Sequence, residues 1–386
     1  MISYGKQYID ESDIKSVVKV LRGDWLTQGP SVEQFENDLK AYFGSKYVSA
    51  VSNGTAALHL AGLSLGWKSD DIILTSPITF LASANSIVFT GATPDFVDID
   101  KNNYTIDPNK AEEKIKHYRS LGKKIKAIIA VDYAGYPCDW ESLKVLQNKY
   151  DIQLVNDNCH AIGASYNGEK EYAVQYADIV TQSYHPVKNF TTGEGGAILT
   201  NNFELDEKIK ELRTHGIVKS EKLIYAQSDP WYYEMHNLGY NYRITDMQCA
   251  LGSNQLKKLN RFIHERRNIA EIYNQQFSSK EHINPPAVNS NIGHAYHLYP
   301  LKIDFKKQTL TKKEFYYKMK ESGINLQVHY IPVHLQPFYK QNFNFVKGDF
   351  PIAEDFYLKV FSLPIFPSLK KKDLKYVIEN ILSFLQ

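Results

Sequence analysis

Apolar residues recur at helical spacing at the start of the chain: Ile14, Val17, Val18 and Leu21 fall on one face, and Phe35, Leu39, Tyr42 and Phe43 on another. The segment Gly23-Asp-Trp-Leu-Thr-Gln-Gly29 between them reads as a glycine-bounded loop. Beyond it come short runs rich in β-branched residues, which predict strands over 47–51, 72–75, 95–98, 127–131, 153–156, 179–183 and 196–200. Most are separated by helix-length stretches, 56–66, 81–90, 108–118 and 140–149. Such alternation produces a mostly parallel sheet covered by helices on both faces. A long amphipathic stretch from 245 to 275 follows, Pro285-Pro286 ends it, and a different texture begins: a strand-like 297–303, a helix-like 312–322 and a terminal helix from Lys371. The expected organisation is a large α/β domain over 1–250 and a smaller α+β domain over 251–386.

Length agrees, since 386 residues exceed the size at which one core usually stops growing. Lys+Arg 45 against Asp+Glu 43 leaves a net charge of +2, too small for phosphate-backbone binding to be the main task, so no nucleic-acid partner is expected. Cys138, Cys159 and Cys249 are too few and scattered for a disulfide framework or a zinc cluster, and no metal is expected. The first residues lack the apolar run of a signal peptide, and no window approaches the ~18 apolar residues of a membrane span. These readings point to a cytoplasmic protein without a membrane partner.

Three segments carry candidate chemistry. In Ser183-Tyr-His-Pro-Val-Lys188-Asn-Phe-Thr-Thr-Gly-Glu-Gly-Gly196, a lysine stands on a turn between two strands, with glycines leaving space around it. A lysine walled by apolar groups has the depressed pKa that suits Schiff-base formation, although glycine-rich turns between strands also occur for steric reasons alone. Leu154-Val-Asn-Asp157-Asn-Cys-His160 is an apolar strand ending in an acid, where open α/β sheets place ligand contacts. A carboxylate there suits a protonated pyridine nitrogen, and a helix N-cap suits it as well. Val51-Ser-Asn-Gly54-Thr55-Ala56 runs from strand through small residues into a helix, which makes a phosphate cradle or a plain capped helix start.

Together these segments resemble the DegT-type nucleotide-sugar aminotransferases, a family that uses pyridoxal phosphate (PLP). Further motifs extend the resemblance over nearly the whole chain: Leu26-Thr-Gln-Gly29, Thr79-Phe80, Val131-Asp-Tyr-Ala-Gly135, Arg213-Thr-His-Gly216 and Gly239-Tyr-Asn241-Tyr-Arg243. The resemblance implies the aspartate aminotransferase-like PLP fold of type I, with a three-layer αβα domain around a mostly parallel seven-stranded sheet and a smaller C-terminal α+β domain. It implies Lys188 as the Schiff-base lysine and proton shuttle. It also implies Phe80 on a ring face, Asp157 and His160 beside the ring, and Gly54, Thr55, Ala56 and Ser183 around the phosphate. Asn241 would reach that phosphate from the other subunit of a homodimer with shared sites. For Phe80 an ordinary core position remains open, as do packing for Trp25 and a surface position for His185.

The same resemblance implies a nucleotide-sugar substrate contacted by Tyr4, Asp24, Trp25, Leu26, Thr27, His185, Gln327, Val328, His329, Tyr330 and Tyr357. Glutamate is the expected amino donor. The lysine segment, Gln327-Val-His-Tyr330 and Glu354-Asp-Phe-Tyr357 are similar to the branch that aminates the C4 ketone of a UDP-linked 4-keto-6-deoxy-N-acetylhexosamine for pseudaminic acid-type sugars. Another nucleotide-linked keto sugar, or a regulatory protein of the same fold, stays open. Asn158 and Cys159 stand where many relatives carry small residues, a departure expected at the cofactor's edge.

Overall fold

The computed structural model describes residues 1–219, 223–225 and 229–385. Strands β1 (Tyr47–Val51), β2 (Ile72–Thr75), β3 (Thr93–Phe96), β4 (Ile125–Val131), β5 (Gln153–Asp157), β6 (Ser165–Tyr166), β7 (Ile179–Ser183) and β8 (Gly196–Thr200) follow one another. All but β6 join one sheet in the order β1-β8-β7-β5-β4-β2-β3, and only β8 runs antiparallel to its neighbours. The central strands are buried along their length, as a sheet covered on both faces requires. Its two faces carry separate apolar clusters. One holds Phe35, Ile128, Leu154 and Val180, and the other holds Leu60, Ile73, Ile129 and Val155.

A short ribbon pairs β9 (Ile217–Val218) with β10 (Glu234–Met235). Strands β11 (Ile283–Asn284), β13 (Tyr299–Ile303) and β14 (Val360–Leu363) form a second, antiparallel sheet, while β12 (Ile292–Gly293) pairs with β6. The second sheet and the terminal helix Lys371–Phe384 enclose a core of Tyr299, Leu301, Phe315, Phe361 and Ile381. Ile2 packs against this core and bridges to Ile324, so the first residues of the chain lie with its last third.

The amphipathic stretch expected over 245–275 is two helices, Asp246–Leu256 and Leu259–Phe277. At the break, Lys258 Nζ donates to Asp10 at 2.7 Å and to the buried Asp13 at 2.8 Å. The expected boundary at 250/251 falls inside the first of these helices. The changeover between cores comes in the second, where Leu259, Phe262 and Ile263 pack in the large core and Ile269, Tyr273 and Phe277 in the small one. Strand β3 starts and ends two residues before the expected 95–98, because Asp98 instead accepts the N–H groups of Ile352 and Ala353 at the start of the helix Pro351–Lys359. Among the described residues no helix is long and apolar enough to cross a membrane.

Candidate active site

The carboxyl ends of β5 and β7, the start of the helix Gly54–Ser64 and the segment 329–330 surround a cavity of about 750 Å³, a size common for small-molecule sites. Its walls bring together Tyr4, Gly54, Thr55, Ala56, Phe80, Asp157, His160, Ser183, His185, Lys188, His329 and Tyr330. The helix opens with Asn53, whose Oδ1 accepts the Ala56 N–H at 2.8 Å. First-turn amides have no intrahelical acceptor, and those of Gly54 and Thr55 stand where an anion would meet them. A Cβ at Gly54 would lie 2.7 Å from Ser183 Cβ, so the close approach of helix and β7 depends on glycine.

Asp157 ends β5, and the chain turns without starting a helix, which removes the N-cap reading. Ser83 Oγ donates to its Oδ2 at 2.6 Å and the Cys159 N–H donates to Oδ1 at 3.2 Å, fixing the carboxylate plane. Lys188 follows the same sheet edge, with its amide donating to the His185 carbonyl at 2.9 Å. Burial holds its amine below the ordinary lysine pKa, with Asp157 pulling the other way. The amine is therefore neutral at a lower pH than a surface lysine, which is the state of a nucleophile or a base.

Four imidazoles line the cavity, those of His160, His185, His297 and His329. Burial first and the Lys188 charge second push His160 and His297 well below the usual histidine value, and His329 down to about 4. These three are neutral near pH 7. His160 Nδ1 accepts the Ala134 N–H at 3.3 Å, so its proton sits on Nε2 and is donated to Tyr330 Oη at 3.1 Å. Burial keeps the Tyr330 phenol protonated, and its own hydrogen is left to point to a ligand. Tyr133 Oη donates to the His329 carbonyl at 2.7 Å and holds this segment against the sheet.

Phe80 is 56% exposed and its ring lies 6.1 Å from that of Tyr330, so it is a wall of the cavity and not a core residue. Of the two departures noted in the sequence, only Cys159 borders the cavity. Asn158 is turned away: its Nδ2 donates to Asp132 Oδ2 at 3.0 Å, in a buried network where Tyr172 Oη (2.7 Å), Trp140 Nε1 (3.1 Å) and the Cys138 N–H (2.8 Å) also donate to Asp132. Burial raises the Asp132 pKa against the opposing bonds from Cys138, Tyr172 and Asn158. The expectation that Asn158 touches a cofactor is thereby corrected, because its amide is taken by this network.

Asp24, Trp25, Leu26, Thr27, Asn241, Gln327, Val328 and Tyr357 lie outside the cavity walls. Trp25 is 59% exposed and Asn241 is exposed, while Tyr357 lies under Lys312, whose Nζ is 4.9 Å from its ring centre. Wall residues that escaped the sequence reading include Ala82, Ser83, Phe89 and His297, while Tyr242 belongs to a quoted motif but carries no role there. His297 precedes a strand without any motif of its own, and Ser83 is one small residue in a helix.

The residues present fit PLP. An amine whose pKa burial lowers, a carboxylate held in plane, an uncovered aromatic face and a glycine-lined helix start are the donor set its aldehyde, ring nitrogen, ring and phosphate require.

Comparison with known proteins gives one family over almost the whole chain: the DegT/DnrJ/EryC1/StrS aminotransferase family matches residues 7–382. The chain is 38% identical over 387 residues to the UDP-4-amino-4,6-dideoxy-N-acetyl-beta-L-altrosamine transaminase of Campylobacter jejuni, covering 100% of this chain and 98% of the relative. It is 36% identical over 381 residues to the spore coat polysaccharide biosynthesis protein SpsC of Bacillus subtilis, covering 98% and 96%. Among solved structures, Helicobacter pylori PseC, an aminotransferase involved in the biosynthesis of pseudoaminic acid, superimposes with a TM-score of 0.90 at 32% identity, covering 100% of this chain and 99% of that one.

Proposed function

The chain belongs to the DegT/DnrJ/EryC1/StrS aminotransferase family and is a sugar aminotransferase, and from that premise we propose that it moves an amino group from glutamate to the C4 ketone of a UDP-linked 4-keto-6-deoxy-N-acetylhexosamine. The name of the C. jejuni relative, whose product is a UDP-linked amino sugar of this kind, supports the substrate. One observation carries the reading: a single cavity holds the buried Lys188 amine, the anchored Asp157 carboxylate and an open helix start.

PLP, when bound, supplies the electron sink that stabilises charge at the donor's α-carbon. Gly54, Thr55, Ala56 and Ser183 hold its phosphate, Asp157 holds the proton on its ring nitrogen, and Phe80 covers one ring face and keeps water from it. Lys188 Nζ takes the proton from the α-carbon of glutamate in the first half-reaction. In the second half it delivers a proton to C4 of the sugar. Acid-base work of this kind contributes about 10²–10⁴-fold. The His160–Tyr330 pair closes the site on the side of the smaller sheet. Tyr4, His185 and His329 border the opening where the sugar enters, and Asp24–Thr27, Gln327, Val328 and Tyr357 are further from Lys188, on the path of the nucleotide.

The reading includes a homodimer in which Asn241 of the partner subunit completes the phosphate site. An apolar set that a second copy would cover supports it: Trp25, Trp231 (77% exposed), Tyr233, Met235 and Leu238 (74% exposed).

Two measurements test the proposal. Borohydride reduction of the PLP-loaded protein followed by peptide mapping labels Lys188; a label on another lysine removes its role. Glutamate-dependent amination is then compared across UDP-, dTDP- and GDP-linked keto sugars, and the UDP-linked 4-keto sugar gives the highest kcat/KM. A higher value for another sugar overturns the substrate and leaves Lys188 in place.

A further inference from the structure

The bond from Ser83 to Asp157 is short, buried and specific. Ser83 is fully buried and Asp157 5% exposed, and they are joined at 2.6 Å. A carboxylate only accepts, so the single hydroxyl hydrogen of Ser83 goes to Asp157 Oδ2. Thr79 Oγ1 lies 2.7 Å from Ser83 Oγ, and because Ser83 has no second hydrogen, Thr79 is the donor of that bond. The chain of donors thus runs in one direction, Thr79 to Ser83 to Asp157, with the Cys159 N–H closing on the other oxygen. Each bond polarises the next, and together they fix the direction in which the carboxylate faces.

We infer that Ser83, supported by Thr79, is a positioning residue that holds the Asp157 carboxylate in plane for the nitrogen of a bound heteroaromatic ring. The inference rests on the proposed role of Asp157. It adds a residue of the helix Leu81–Phe89 that makes its contact through the carboxylate and not with the ring. Ser86, one turn further on, provides a contrast: it is equally buried, but its hydroxyl donates to the Ser83 carbonyl at 2.9 Å, a bond internal to the helix.

The test uses the full-length protein loaded either with PLP or with its analogue in which carbon replaces the ring nitrogen. With PLP, Ser83→Ala lowers kcat roughly ten- to hundredfold, the worth of a hydrogen bond to a charged group, and leaves the KM for glutamate within about twofold. The absorption spectrum of the bound cofactor at pH 7 differs between Ser83→Ala and the wild type, because a carboxylate without this donor turns away from the ring plane. Thr79→Val moves both readouts in the same direction by less, and Ser86→Ala follows the wild type. With the carbon analogue, wild type and Ser83→Ala turn over alike, since Asp157 then has no nitrogen to serve. An equal loss with both cofactors, or a shift shared by Ser86→Ala, overturns the positioning role in favour of a structural one. Wild-type kcat in Ser83→Ala, together with a large loss in Asp157→Asn, shows the hydroxyl to be dispensable and leaves the role of Asp157 standing. A protein that takes up no PLP overturns the reading of the site itself.

Discussion

At the floor of the cavity Asp157 and His160 find their hydrogen-bond partners inside the chain, in Ser83, Ala134 and Tyr330. At its outer side Phe80, Trp25 and Asn241 face outward, and Trp231, Tyr233, Met235 and Leu238 lie open. The floor is thus complete within one chain: it presents a set geometry and a water-poor field before any ligand arrives. The outer side gains its definition from what covers it, which in the proposed dimer is a second copy. Changes at the floor should therefore act on the chemical step, and changes at the outer side on binding and assembly.

The sharpest break of this contrast is Asp157→Asn. The amide cannot hold a ring nitrogen protonated, so kcat drops roughly 10²–10³-fold with PLP bound and circular dichroism unchanged. A near-normal rate with bound cofactor would show that the floor carries no such duty.

The outer side is tested by mixing. Lys188→Ala and Asn241→Ala homodimers are each weak, but a heterodimer has one site that pairs an intact Lys188 with an intact Asn241. A random mixture is half heterodimer with one working site of two, so activity recovers to as much as about a quarter of wild type. Heterodimers verified by tagged pull-down that stay as weak as their parents would return Asn241 to a role within its own chain.

The smallest effect is on stability. His160, His297 and His329 are held below the unfolded value near 6.5. Between that value and about 4, the lowered position of His329, the unfolded chain binds more protons than the folded one. Stability is therefore full above pH 6.5 and is lost as pH falls through this window. The urea midpoint of the cofactor-free protein declines from pH 7 to pH 4.5; an unchanged midpoint would place these imidazoles in water.

Much of the floor was legible in the sequence because its signals are local. The alternation of β-branched runs and helix-length stretches gives the sheet, an acid ending an apolar run gives Asp157, and a lysine among glycines gives Lys188. What escaped depends on contacts distant along the chain. Ser83 meets its partner 74 residues away, and nothing in its neighbours marks it. Asn158 sits between two cavity residues, yet alternation at the end of a strand sends it to the opposite side, towards Asp132. The 245–275 stretch reads as one amphipathic run, and the structure divides it into two helices at Lys258, which pairs with Asp10 and Asp13.

The helix Leu259–Phe277 belongs to both cores, and between its two packed halves Arg266 is fully buried. Its Nη1 donates to the carbonyls of Ile365 at 2.8 Å, Tyr296 at 3.1 Å and His297 at 3.4 Å. A cation so placed is costly to leave unpartnered, so the two halves of the molecule cannot slide along this rod without losing all three bonds together. The rod also cannot fray at its middle without wetting both interiors. Melting of either half removes support from the other, which couples the unfolding of the two sheets.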